Sequence, residues 1–351
     1  MANYIRQIFY VLLIISALPT MVLSKEASGP ATDEPRPAKE SIWVLPDTGQ
    51  IHCFDNSRRI PCPGPGESFF GQDANYLINP PDYSVERIEG KYLVVDRVTG
   101  LVWQNANCKA SIWSKAVDCA QAIGGNGSDT GHWRLPTARE LETLANYGAD
   151  PGIVFAVFNA AGDPHDCFWS ITTMEYPSID ALGFCSEKIV IRLFDKYAKL
   201  KVLAVRGQTL DFGDLVDSGN GTVTDSATGL TFQAGEALAM TWKEALRYCE
   251  KLELGGHADW RLPNIRELLS IVRYGSTAPM IDTRFFPGAR PEAYWSSTTY
   301  EKAPNMAWVV DFSTGLPYRG GFKKRRLLVR AVRGGHVRRK QGAYGQGSTG
   351  K

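Results

Sequence analysis

The sequence predicts an α+β protein made of two tandem copies of one module of roughly 110 residues, each with two helices packed on a small antiparallel sheet. The first observation behind this is an internal repeat. Asp96-Arg-Val-Thr-Gly-Leu-Val-Trp-Gln104 returns as Asp225-Ser-Ala-Thr-Gly-Leu-Thr-Phe-Gln233, and Trp113 with Ala116 returns as Trp242 with Ala245. Trp133-Arg-Leu-Pro136 with Arg139-Glu-Leu141 returns as Trp260-Arg-Leu-Pro263 with Arg266-Glu-Leu268. Tyr147-Gly148, Trp169-Ser170 and Val205-Arg-Gly207 return as Tyr274-Gly275, Trp295-Ser296 and Val332-Arg-Gly334. The offset drifts only from 129 to 126 residues, so the matches keep both order and spacing. The second observation is a set of paired residues that open helices, and the third is a set of β-branched runs between turn signals.

The elements follow in order. Arg6 and the apolar run Ile8–Leu18 read as a signal peptide, with cleavage expected after Ser24. The run is shorter than the ~18–20 residues of a spanning helix, and no later segment is apolar enough to span. Residues 25–47, rich in Pro, Ala and charge, read as a flexible leader, and 48–95 as a small disulfide-pinned segment with a hairpin. The first module is expected over 96–208 and the second over 217–335, followed by a basic, Gly-rich tail over 336–351. Thr241 with Glu244 forms a capping box, after which Trp242, Ala245, Leu246, Cys249 and Leu252 share one helix face that ends at Gly255-Gly256. Thr137 with Glu140 and Asn264 with Glu267 open two further helices, expected to run to about Asn146 and Arg273. Asp96–Gln104 reads as strand, Thr-Gly turn and strand; Ala307–Phe312 and Leu327–Val332 are strands, with a turn over Phe312–Pro317.

Seven cysteines suit an oxidising compartment and leave at least one thiol unpaired. Closeness in sequence favours Cys53 with Cys62, Cys108 with Cys119 and Cys167 with Cys185, leaving Cys249 alone. The net charge of +2 conceals an asymmetry. Eleven Lys or Arg and no acid lie between Arg319 and Lys351, which leaves 27 Lys and Arg against 37 Asp and Glu in the rest of the mature chain. An acidic body with a basic end points to an anionic partner there, unless the end is merely a solvated tail.

The motifs Asp-x-x-Thr-Gly-Leu-x-(Trp/Phe)-Gln, Trp-Arg-Leu-Pro-x-x-x-Glu-Leu, Trp-Ser-x-Thr-Thr and the closing Val-Arg strand together resemble the Lcl C-terminal domain family. That family is named for a Legionella collagen-like adhesin and was long catalogued as a domain of unknown function. The resemblance covers about 96–207 and 225–335. It implies a C-type-lectin-like fold, export to the envelope or surface and, in the adhesin, binding of sulfated polysaccharides. Copy one departs from the pattern. Ile171 replaces the second Ser of Trp295-Ser-Ser-Thr298, Leu203 stands where copy two has Arg330, and Asp166-Cys167 and Cys185 are additions.

Each motif has a structural and a functional reading. Trp133-Arg134 and Trp260-Arg261 could offer a sugar platform, but a core Trp and an Arg holding Glu140 or Glu267 are favoured. The hydroxyls of Trp295–Thr299 are assigned to neighbouring backbone groups, since no His stands near to make a nucleophile. The five histidines, at 52, 132, 165, 257 and 336, have no metal-ligand spacing, and no cofactor is expected; calcium held by loop carboxylates and carbonyls stays open, without a motif to support it. Formylglycine-generating enzymes share the broad fold but need a reactive cysteine pair, where copy two has Cys249 alone. Leu45–Gly49 matches a sortase signal in the wrong place and is read as a turn, as are the glycosylation-like triplets at Asn126 and Asn220.

The ligand-binding expectation therefore falls on Arg319, Lys323, Lys324, Arg325, Arg326 and Arg330, with Arg333 on the opposite face from Arg330 and Arg338, Arg339 and Lys340 continuing into the tail. The expected function is an exported, non-catalytic binding protein for an anionic (sulfated) polysaccharide or another surface component such as a surface protein. Nucleic acid is a less natural partner outside the cell. The rivals are an assembly module that packs against envelope proteins, and an enzyme of unknown class.

Overall fold

The structure, a computed structural model, describes residues 44–88, 90–105, 108–123, 132–148, 166–174, 179–186, 190–210 and 213–335. The expected signal peptide, most of the leader, Asn126–Ser128 and the tail 336–351 lie outside the described residues.

Residues 44–82 are mostly irregular, with strands β1 (Cys53–Phe54) and β2 (Arg59–Ile60) forming a hairpin and a single turn of 3-10 helix at Asp73–Asn75. The Cys53–Cys62 disulfide closes the hairpin, and the Asp55 carboxylate accepts from the N–H groups of Ser57 and Arg58 across its turn. Copy one contains β3 (Tyr83–Ile88), β4 (Lys91–Asp96) and β5 (Val102–Asn105), then α1 (Trp113–Ala122) and α2 (Ala138–Thr143). It continues with β6 (Cys167–Thr173), β7 (Asp180–Cys185), β8 (Val190–Asp195) and β9 (Leu203–Arg206). Copy two follows the same order with two further strands: β10 (Leu215–Asp217), β11 (Thr222–Asp225), β12 (Leu230–Gln233), the added β13 (Ala237–Met240), α3 (Trp242–Glu250) and α4 (Ile265–Ser270). It ends with β14 (Ala293–Thr299), β15 (Met306–Asp311), β16 (Leu316–Phe322), the added β17 (Leu327–Val329) and β18 (Val332–Gly334).

Mixed helices and sheets make this an α+β protein, but each copy holds two sheets rather than one. Copy one has the orders β3-β4-β5-β9 and β6-β7-β8; copy two has β10-β11-β12-β18 and β13-β17-β14-β15-β16. Most pairings are antiparallel, whereas β14 meets β17 in parallel at Tyr294 and Leu328, and Phe168 meets Lys201 in parallel in copy one. The first sheet begins at Tyr83, ahead of the Asp96 from which the repeat was counted.

The repeat motifs are local devices. In Asp-x-x-Thr-Gly, the Asp96 carboxylate accepts from the N–H of Val98 and from the Thr99 hydroxyl (2.9 and 2.6 Å), and Asp225 does the same with Ala227 and Thr228 (3.1 and 3.0 Å). The following glycines donate to the backbone of those aspartates with φ of +77° and +70°, a conformation that disfavours any side chain. Thr137, Thr241 and Asn264 sit at the N-caps of α2, α3 and α4, in capping boxes with Glu140, Glu244 and Glu267.

The second helices stop earlier than expected, at Thr143 and Ser270. Their terminal carbonyls are taken across the copy boundary. Arg266 of copy two donates to the carbonyls of Thr143 (2.7 Å) and Ala145, and Arg139 of copy one donates to that of Val272. The same two arginines lie over Tyr147 and Tyr274, each from the opposite copy. Tyr147 also meets Trp308 edge-on at 5.0 Å, so a single apolar core runs through both copies. Separate cores behind α1 and α3 hold Trp133 and Trp169 in copy one and Trp242, Trp260 and Trp295 in copy two.

Candidate functional site

The basic segment runs along β16, through a turn and into β17. Arg319 belongs to β16 itself, half-buried, with its guanidinium donating to the Tyr300 hydroxyl (3.1 Å) and lying over that ring. Lys324, Arg325 and Arg326 form an exposed turn, in which Arg326 reaches Glu244 at 3.3 Å. Among the described residues, Lys324 and Arg325 make no ion pair.

Two of the six expected ligand residues are not at the surface. Lys323 is 1% exposed. Its Nζ donates to the Thr299 hydroxyl and the Asp55 carbonyl, both at 2.9 Å, and sits 3.7 Å from the centre of the Trp242 ring. Burial pushes its pKa down to about 7. Arg330 is fully buried because the expected last strand breaks there: β17 ends at Val329, β18 begins at Val332, and the chain passes from one sheet to the other. Its Nη1 donates to the carbonyls of Gln233 (2.7 Å) and Ala234, and its guanidinium lies 4.6 Å from the Phe286 ring centre. Alternation along a strand gives no guide to a residue at such a crossing. Neither side chain is available to a ligand in solution, and Arg333 is engaged by Asp259.

The Trp-Arg-Leu-Pro motif is structural in both copies. Trp133 and Trp260 are buried, and Arg134 and Arg261 grip both oxygens of Glu140 and Glu267 (2.7 and 2.7 Å; 2.5 and 2.6 Å). The same carboxylates accept from the N–H of Thr137 and Asn264, so capping and ion pairing coexist on one group. The Trp-Ser-x-Thr-Thr hydroxyls also bond inward. Ser170 donates to the Leu182 carbonyl and Ser296 to that of Trp308, while Thr172 and Thr298 accept the first N–H of α2 and α4.

Residues 44–82 seal copy two in a way the sequence did not disclose. The Gln50 amide pairs with both the N–H and the C=O of Thr299 (2.8 and 2.7 Å), acting as a strand would. The Asp73 carboxylate accepts from the hydroxyls of Thr298 and Thr48 (2.5 and 2.7 Å). Burial raises Asp73 to about 7 and Asp47 to about 6. Polar residues in a segment without periodicity carry no signal that they will be buried; the one hint was that Thr48–Cys53 lies so close to a disulfide.

The three expected disulfides form, and Cys249 is a free thiol buried on α3. Burial pushes that thiol well above its ordinary range. Among the described residues, no helix is long and apolar enough to cross a membrane.

Comparison with family models matches residues 92–206 and, a second time, 221–333 to the Lcl C-terminal domain. No curated protein matches the chain. Since the two matched stretches make up more than half of the sequence, the chain belongs to the Lcl C-terminal domain family, as a tandem pair.

Proposed function

We propose that this is an exported, non-catalytic binding protein whose second copy offers the turn Lys324–Arg326 to an anionic, sulfated polysaccharide. The carrying observation is the run of three consecutive exposed cations between β16 and β17, where a single acid, Glu244, is engaged. Strands on either side hold the turn, so less conformational freedom is lost when a sulfate is gripped. Arg adds paired hydrogen bonds to what would otherwise be charge attraction alone. Export is supported by three disulfides, which persist in oxidising compartments. A C-type-lectin-like architecture, implied by the resemblance, fits a role in recognition. The binding reading is preferred to an enzyme built on Cys249, whose thiol is buried and pushed well above its ordinary range.

The test is binding to dextran sulfate, with neutral dextran as control, measured across a salt series. Binding is expected to weaken as salt rises and to fall at least about tenfold in the triple variant Lys324→Ala, Arg325→Ala, Arg326→Ala. Equal affinity for neutral dextran, or an unaffected triple variant, would overturn the reading.

A further inference from the structure

Copy one carries the same edge that residues 44–82 occupy on copy two, and among the described residues no segment bonds to its last threonine there. The scaffolding around the two edges is equivalent bond for bond. The indole N–H of Trp113 donates to the Ser170 carbonyl (2.9 Å), as that of Trp242 does to Ser296 (2.8 Å). The N–H of Trp113 donates to the Lys196 carbonyl, as that of Trp242 does to Lys323. Ile171 and Ser297 donate to the carbonyls of Pro136 and Pro263. Strands β6 and β14 carry the same irregularity, between Trp169 and Thr173 and between Trp295 and Thr299. In both, the last residue turns its N–H and C=O away from the neighbouring strand, while the next residue bonds back to it, Met174 to Asp180 and Tyr300 to Met306.

What differs is the cover. In copy two Trp242, Ser297, Thr298, Thr299 and Lys323 are all at most 1% exposed, under Gln50, the Asp55 carbonyl and Asp73. In copy one Trp113, Thr172, Thr173 and Lys196 are only half-buried, and Ile171, in the place of Ser297, is 37% exposed. Among the described residues, nothing stands to Thr173 as Gln50 stands to Thr299. The ammonium of Lys196 lies 5.0 Å from the Trp113 ring centre, the counterpart of Lys323 over Trp242.

We infer that the edge formed by Trp113, Ile171, Thr172 and Thr173 is a docking site for an extended segment of another polypeptide that brings a side-chain amide and a carboxylate. The occupant's chemistry is read from copy two. A primary amide answers the paired N–H and C=O of the last threonine, the one group in a side chain that supplies donor and acceptor at strand spacing. A carboxylate answers the threonine hydroxyl before it. Ile171 adds an apolar contact where copy two has a serine, so the occupant carries an aliphatic side chain at that point. Mixed donors, acceptors and an apolar contact along one strand edge suit a peptide better than a sulfated sugar, which would leave the N–H and C=O pair half-answered.

The probe is a synthetic peptide of residues 44–79 with its Cys53–Cys62 bond closed, fluorescently labelled and titrated into the full chain, whose copy two is already filled. Saturable binding of one peptide per chain is expected. It should weaken at least tenfold when Ile171→Glu or Thr173→Pro, which removes the N–H that the amide answers, is introduced in the protein, and likewise when Gln50→Ala or Asp73→Ala is introduced in the peptide. Ile171 lies at the surface, so Ile171→Glu leaves folding intact and places a like charge against the carboxylate. The triple alanine variant at Lys324–Arg326 should bind the peptide as before, which separates this site from the glycan turn. Absence of saturable binding would overturn the inference. So would binding indifferent to both protein variants, since that marks exchange into copy two or adhesion elsewhere.

Discussion

The two copies build the same module and protect it by different means. Copy one holds two disulfides, Cys108–Cys119 and Cys167–Cys185, the second linking directly opposed residues of neighbouring strands. Copy two holds none within itself and is closed instead by residues 44–82, which bury its threonine edge and its lysine. A covalent link stabilises chiefly by limiting the unfolded chain, whereas a docked segment stabilises by removing surface from water. The consequence is visible at the positions that border the cover. Arg134 keeps 25% of its side chain exposed where Arg261 keeps 5%, and Trp113 is half-buried where Trp242 is sealed. The same motif thus has a solvated and a desolvated version in one molecule, so substitutions at matched positions measure what the cover contributes.

The largest difference is expected at the Trp-Arg motif. Arg261→Ala leaves the Glu267 carboxylate buried beside Asp47 and Asp73 without its cation, a loss of about 3–5 kcal/mol. Arg134→Ala strands Glu140 as well, but that carboxylate retains the N–H groups of Thr137 and Leu210, and the space left by a side chain that is 25% exposed opens to water. A cost of roughly 1–3 kcal/mol is expected there. Urea unfolding of the two single variants reads the difference directly. Equal losses would show that the cover does not alter the strength of the pair.

How much of this could be read beforehand follows from how far each contact reaches along the chain. Arg134 and Glu140 are six residues apart, as are Arg261 and Glu267, and their pairing was legible because the motif contains both partners. Cysteines 9, 11 and 18 residues apart were legible for the same reason. The burial of Lys323 is not legible in the sequence because its partner at Asp55 is 268 residues away, and that of Arg330 because its acceptor at Gln233 is 97 away. A run of cations read along the chain promises a continuous charged surface. The fold divides it, turning two of the six inward where strands change sheets or another segment lies on top.

A second contrast concerns pH, because Asp73 belongs to the cover of copy two. Burial raises its carboxyl to about 7, against the hydroxyls of Thr298 and Thr48, while the charges of Glu267 and Asp47 push the same way as burial. A carboxyl raised in the folded state holds its proton more tightly there than in the unfolded chain. Its contribution is therefore fully present below about 4 and is lost as pH rises through about 7. Asp73→Asn, which cannot ionise, should flatten the fall in melting temperature between pH 5 and 8 by a few degrees. Asp47, raised to about 6, preserves part of the slope. A profile unchanged from the parent chain would mean that Asp73 does not titrate across this range.

The smallest effect is expected where the copies differ by a single interior residue. Arg330 of copy two corresponds to Leu203 of copy one, and both are buried. Arg330 supports the carbonyls of Gln233 and Ala234, yet its Nε and second Nη atoms find no hydrogen-bond partner among the described residues. Arg330→Leu removes the donor from two buried carbonyls and at the same time removes a poorly compensated charge from the interior. The two terms oppose each other, and the balance is a loss of about 1 kcal/mol. Thermal unfolding of the variant reads that balance. A gain in stability would show that the arginine is held against its own desolvation and that the leucine of copy one is the better-packed solution. A loss above about 3 kcal/mol would show that the loop at Gln233–Gly235 depends on it. In the second case the guanidinium is the pin that lets β17 and β18 enter different sheets, where copy one has Leu203 at the start of β9.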